Sequence, residues 1–348
     1  MTRLGHRFAF AFSTSRRPVP RQSGVLSRPL VTDLRHGYPF DPTHGHALES
    51  LLKVEAPEEP PDYAAFWQAR YAAARGLAAR SQLTDTGVVR NGWRVFDWEY
   101  VSTGAVVIDG WALLPEQGTV RRGFIVGHGY GGRDGPDFDL PLEGAALFFP
   151  CARGLGRSAQ APISSEPYWH VLHNLQSRDT YVLGGCVEDV WLAVTAALEH
   201  FPHLAGHLGY LGISFGGGVG VMAGAWEERL QRLHVNVPSF GNQPLRMKLA
   251  TVGSAASVQL HLRRFPERLE VLRYFDAALA ARHTRIPVHC ACALFDPAVA
   301  PAGQFAIYNA LAGPRQLFVL SAGHHEHSGS AAEEAALKQE VHAFFRDL

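Results

Sequence analysis

The chain has 348 residues, enough for one large α/β domain with appendages, and its 32 basic and 32 acidic residues cancel to a formal net charge of zero. That balance provides no global field for nucleic acid or an anionic membrane and suits a small or neutral ligand. No apolar stretch approaches the roughly 20 residues of a spanning helix, so a soluble protein with no membrane partner is expected.

The N-terminal stretch "MTRLGHRFAFAFSTSRRPVPRQSG" is rich in Arg and Ser and has no acid before Asp33. Its apolar run, Phe8 to Phe12, is shorter than the roughly 7–15 residues of a secretory core and is soon followed by Pro18 and Pro20. Residues 1–55 are therefore read as a tail, with an organelle transit peptide as the alternative. A single domain is expected over residues 56–348. A helix begins at Tyr63 after the prolines, with Phe66, Trp67, Arg70 and Tyr71 on one face. "WRVFDWEYVS" and "VVIDGWALLP" alternate around a turn at Gly104, the pattern of a hairpin. "GFIVGH" and "GAALFFP" are short apolar runs ended by Gly or Pro, as expected of strands buried on both faces.

Beyond residue 177 the pattern becomes regular. Ser177 is the expected N-cap of a helix carrying Leu183, Val187, Val190, Val194 and Leu198 at helical spacing. "GHLGYLGI", "RLHVNVP", "IPVHCACALFD" and "RQLFVL" read as strands, separated by helical "GGGVGVMAGAW" and "PAGQFAIYNALAG" and followed by a final helix. Strands alternating with helices predict a mostly parallel central sheet covered on both faces, interrupted by a helical insertion at about 239–285. Cys290 and Cys292 fall on one face of a buried strand; with Cys151 and Cys186 they are expected to be reduced thiols in a cytoplasmic protein.

The chemistry concentrates in three places. In Gly212-Ile213-Ser214-Phe215-Gly216 a serine sits between an apolar strand and a glycine-rich helix. Such a spacing suits a sharp strand-to-helix turn that exposes the hydroxyl while small neighbours let strand and helix approach. A serine hydroxyl needs a base steadied by a carboxylate to act as a nucleophile. "CACALFDPAVAP" places Asp296 at the end of a later strand, and "LFVLSAGHHEH" places His324 just past the next one. The order Ser, acid, His with each member after a strand is the one this architecture requires. His324, which follows Gly323, is taken as the base, with His325 as the alternative. Oxyanion donors are expected from the amide of Phe215 and from Tyr130 in the glycine-rich "HGYGGRDG" loop. His327, His44 and His46 lack metal-site spacing and are read as surface histidines; no metal and no cofactor is expected.

In this order, "APEEPPDYAAFWQ", "GHGYGGRDGPDFD", "CARGLGRSA", "GISFGGG", "YFDAALAARHTRIPVHCACALFDPAVAP", "YNALAGPRQL" and "GHHE" resemble the acetyl xylan esterase and cephalosporin C deacetylase family of carbohydrate esterases within the α/β-hydrolases. The resemblance covers about residues 55–345. It implies hydrolysis of short acyl esters, typically sugar acetates, through an acyl-serine intermediate, with Ser214 as nucleophile, Asp296 as acid, His324 or His325 as base, and Tyr130 and Phe215 as oxyanion donors. Where the family commonly carries Gln after the nucleophile this chain has Phe215, and where it commonly reads Arg-Gly-Gln this chain has Arg153-Gly154-Leu155. The family often forms rings of subunits, which implies a homo-oligomer. Competing readings are a carboxylesterase, thioesterase or peptidase on the same scaffold, or a catalytically inactive hydrolase fold serving as a binding module.

Overall fold

A computed structural model describes residues 30–31 and 34–348, so the reading of residues 1–29 and 32–33 as tail lies outside the described residues. The strands are β1 (Gln82–Arg90), β2 (Trp93–Val101), β3 (Val107–Pro115), β4 (Arg122–Gly127), β5 (Ala145–Pro150), β6 (Leu208–Ile213), β7 (Leu230–Asn236), β8 (Val288–Ala293) and β9 (Arg315–Leu320). The helices are α1 (Leu48–Leu51), α2 (Tyr63–Arg75), α3 (Pro167–His170), α4 (Val182–His200), α5 (Phe215–Gly224), α6 (Gln243–Arg246), α7 (Ser254–Arg264), α8 (Leu269–Tyr274), α9 (Ala277–Ala281), α10 (Pro301–Ala310) and α11 (Ser330–Phe345).

The strands form one sheet in the order β1-β2-β3-β5-β4-β6-β7-β8-β9. The first three pair antiparallel and β3 meets β5 antiparallel, whereas every pairing from β5 through β9 is parallel. This is an α/β-hydrolase sheet. Its parallel half is buried on both faces: every residue of β5 and β8 is buried, which is why these segments read as unbroken apolar runs. Alternate side chains divide between two cores. Ile125, Phe148, Tyr210 and Val235 pack with helices α4, α5, α9 and α10 on one face. Phe124, Leu147, Leu211 and Phe318 pack with Leu337, Val341 and Phe345 of α11 on the other.

The hairpin of β2 and β3 turns at Gly104, whose φ of 68° is left-handed. One local expectation changes. Ser177 does not cap α4: its hydroxyl accepts from the amide of Asp179 and its carbonyl from that of Tyr181, closing a separate turn, and the helix begins at Val182. Edge strand β1 carries no apolar alternation because its residues are mostly exposed, and its backbone pairing with β2 alone makes it a strand. Between β7 and β8 lie α6 to α9, and of these α9 is buried throughout.

Candidate active site

The carboxyl ends of β4, β6, β8 and β9 converge on one place. At the end of β6, Ser214 adopts φ 54° and ψ −111°, and α5 starts at the next residue. Such a left-handed φ is uncommon for a non-glycine residue and is sustained only where surrounding structure holds it. Here the Ser214 amide donates to the Asn236 carbonyl at 2.8 Å, and the Ser214 carbonyl accepts from Ser239 N at 2.9 Å and Gly218 N at 3.0 Å. A Cβ on Gly216 would lie 2.7 Å from the His128 carbonyl oxygen, and one on Gly212 would collide with the backbone of Gly216. One on Gly220 would enter the ring of Tyr210. The glycines are thus explained by the closeness of α5 to β4 and β6.

Asp296 follows β8 and is fully buried. Its Oδ1 accepts from the amides of Ala298 at 2.9 Å and Val299 at 2.8 Å, and its Oδ2 accepts from Gln304 Nε2 at 3.0 Å. The loop after β9 brings His324 to it. Its Nδ1 lies 2.8 Å from Asp296 Oδ2, and its Nε2 lies 2.9 Å from Ser214 Oγ. His324 itself has φ 47°, and a side chain on the preceding Gly323 would collide with Asp296 Oδ2. His325 makes neither of these bonds; its ring is set against Phe295 at 5.0 Å and Tyr38 at 5.9 Å. Burial depresses the His324 pKa, but the hydrogen bond and charge of Asp296 outweigh it, and the pKa ends above the ordinary 6.5.

Tyr130 and Phe215 come together, with ring centroids 4.4 Å apart. Among the described residues neither backbone amide donates to a protein acceptor. Two histidines not anticipated from the sequence hold this wall. His128 Nε2 accepts from Ala152 N at 3.0 Å and its Nδ1 meets the Gly129 carbonyl at 2.6 Å, fixing the loop that carries Tyr130. His170 Nδ1 accepts from the Tyr130 hydroxyl at 2.9 Å while its Nε2 donates to the Arg153 carbonyl at 2.9 Å. Burial lowers both imidazoles to a pKa of about 4, which keeps them neutral and able to accept on one nitrogen while donating from the other. Arg153 is anchored in turn by Asp189, its Nη2 2.6 Å from Oδ1. The one advance signal was that His128 and Arg153 flank glycine-rich turns.

His327 proves not to be a surface residue: its side chain is only 5% exposed and sits 3.7 Å from Glu333. His46 is bonded to Ser50. Among the described residues no three His, Cys, Asp or Glu side chains gather as a metal site, and no helix is long and apolar enough to cross a membrane.

The family description "Acetyl xylan esterase (AXE1)" matches residues 47–342. Comparison with curated protein sequences finds no match. Among solved structures, acetyl xylan esterase 1 from Thermoanaerobacterium sp. JW/SL YS485 superimposes with TM-score 0.73 at 18% identity, covering 87% of this chain and 99% of its own. Acetyl xylan esterase from Paenibacillus sp. R4 gives TM-score 0.73 at 21% identity, covering 86% and 99%. A Pyrococcus horikoshii acylaminoacyl peptidase shares the fold at TM-score 0.58 and 14% identity, over 73% of this chain and 41% of its own. The match over most of the chain shows that the protein belongs to the acetyl xylan esterase family, and so is a carboxylic ester hydrolase with the α/β-hydrolase fold.

Proposed function

We propose that the protein hydrolyses short acyl esters, foremost the acetyl esters of sugars, through an acyl-enzyme formed on Ser214. The single observation that carries this reading is the unbroken chain from Ser214 Oγ to His324 Nε2 at 2.9 Å and from His324 Nδ1 to Asp296 at 2.8 Å. His324 Nε2 takes the Ser214 proton as Oγ attacks the ester carbonyl, and Asp296 holds the ring in the tautomer that leaves Nε2 free to accept. The carbonyl oxygen gains negative charge in the tetrahedral intermediate and accepts hydrogen bonds from the Tyr130 and Phe215 amides. One such donor contributes about 2.7–4 kcal/mol in other hydrolases. His324 then gives its proton to the departing alkoxide. Water, deprotonated by the same nitrogen, attacks the acyl-serine and releases the acid.

We assign this chemistry to a single domain over residues 56–348. A homo-oligomer is supported by the exposed Tyr168 and Trp169 of α3 and Leu260 of α7, which are 52%, 67% and 66% exposed. A cytoplasmic setting is supported by four unpaired, buried cysteines, and the balanced charge argues against a nucleic-acid partner. The test is hydrolysis of p-nitrophenyl acetate with fluorophosphonate labelling. The native protein is expected to turn over and to be labelled at Ser214, and Ser214→Ala to lose both. Undiminished hydrolysis by Ser214→Ala refutes the assignment.

A further inference from the structure

The family match begins at residue 47, yet the chain just before it is built against the two loops that carry the acid and the base. The Asp296 amide donates to the Pro42 carbonyl at 3.3 Å, and the Val31 amide donates to Ser321 Oγ at 2.8 Å, close to the end of β9. A ladder of rings runs from His36 to His44. His36 stacks on Tyr38 at 5.6 Å, Tyr38 meets Phe40 at 6.0 Å, and Phe40 stacks on His44 at 5.9 Å. The ladder leans on Phe295, 5.2 Å from His36, and on His325, which Tyr38 meets edge-on at 5.9 Å. Phe295 and His325 are the chain neighbours of Asp296 and His324. The turn is secured by Asp41, whose carboxylate accepts from the Thr43 amide at 2.9 Å and the Gly45 amide at 3.3 Å.

This strap packs on the loops that carry Asp296 and His324. The leaving oxygen must reach His324 Nε2 to be protonated, so the group attached to it extends over the histidine loop, whereas the acyl carbonyl points to the Tyr130 and Phe215 amides. A sugar alcohol leaving there presents the C–H face of its ring to whatever borders His324. His325 follows His324 in the chain and Tyr38 meets its ring edge-on at 5.9 Å, and both side chains are only partly buried. Aromatic faces are suited to such a partner, giving large apolar contact with few rotatable bonds.

We propose that Tyr38, backed by His325, is a specificity residue that holds the sugar ring of the leaving group, contributed by a segment outside the part of the chain that matches the family. The proposal rests on the esterase reading above. The test compares kcat/KM for xylose tetraacetate, whose leaving group is a ring, with that for ethyl acetate, whose leaving group is not. The ratio of the two is expected to fall about tenfold in Tyr38→Ala, as loss of one ring contact implies, and to be retained in Tyr38→Trp. Tyr38→Leu, which keeps the bulk of the strap without its π face, is expected to lower the ratio as Tyr38→Ala does. An unchanged ratio in both Tyr38→Ala and Tyr38→Leu overturns the platform, as does a native enzyme that cleaves ethyl acetate but not the sugar ester. A native protein that cleaves neither ester refutes the esterase reading itself.

Discussion

Replacing Asp296 by Asn tests the geometry of the site with almost no change of shape. The carboxylate accepts four hydrogen bonds, from Ala298 N, Val299 N, Gln304 Nε2 and His324 Nδ1. Asparagine has one oxygen, and the two turn amides at 2.9 and 2.8 Å claim it, so its amide nitrogen comes to face Gln304 and His324. His324 must then accept at Nδ1 and carry its proton on Nε2, the nitrogen 2.9 Å from Ser214 Oγ, where it can no longer act as base. In a serine-histidine-carboxylate triad that wrong tautomer lowers kcat by about 10⁴-fold, or about 5.5 kcal/mol. The assay is p-nitrophenyl acetate hydrolysis at neutral pH, with urea unfolding to confirm that the variant is folded. A folded Asp296→Asn enzyme within tenfold of native kcat would refute the reasoning.

Further outcomes follow from the same geometry. Because Asp296 raises the His324 pKa above 6.5 and the base must be neutral, kcat/KM is expected to rise with pH along a limb centred above 6.5; a limb centred below that value would remove His324 as the base. The sign of the linked stability is opposite: the imidazolium–Asp296 pair stabilises the fold below the ordinary histidine pKa, and that contribution fades as pH climbs through the raised one. Gly220→Ala drives a methyl into the buried Tyr210 ring, whose hydroxyl donates to the Gly216 carbonyl at 2.7 Å. About 1–3 kcal/mol of destabilisation is expected in urea unfolding, together with lower kcat from a displaced first turn of α5; native stability and rate would mean that α5 is not pressed against β6 at this point.

What could be read from the chain alone was whatever short-range chemistry dictates. Short apolar runs such as "AALFFP" and "VHCACA", bounded by turn residues, read as strands buried on both faces, and their alternation with helices implies the parallel sheet. The glycines around Ser214 declared the sharp turn, and the order Ser214, Asp296, His324 was visible because each follows a strand that ends at the same edge. Tertiary structure decided the rest. His324 and His325 are adjacent and chemically identical, and only the left-handed backbone at His324, with Gly323 packed against Asp296, determines which ring faces Ser214. His128 and His170 carry no motif of their own in the sequence, and only burial makes them neutral struts around Tyr130. Strand β1, with its mostly exposed side chains, owes its form to pairing with β2. The segment from His36 to His44, weakly patterned as sequence, acquires its place from contacts with Phe295, Asp296 and His325, residues more than two hundred positions away. Local propensity reports what a residue does to its own backbone, whereas a site is assembled from side chains that only folding makes neighbours.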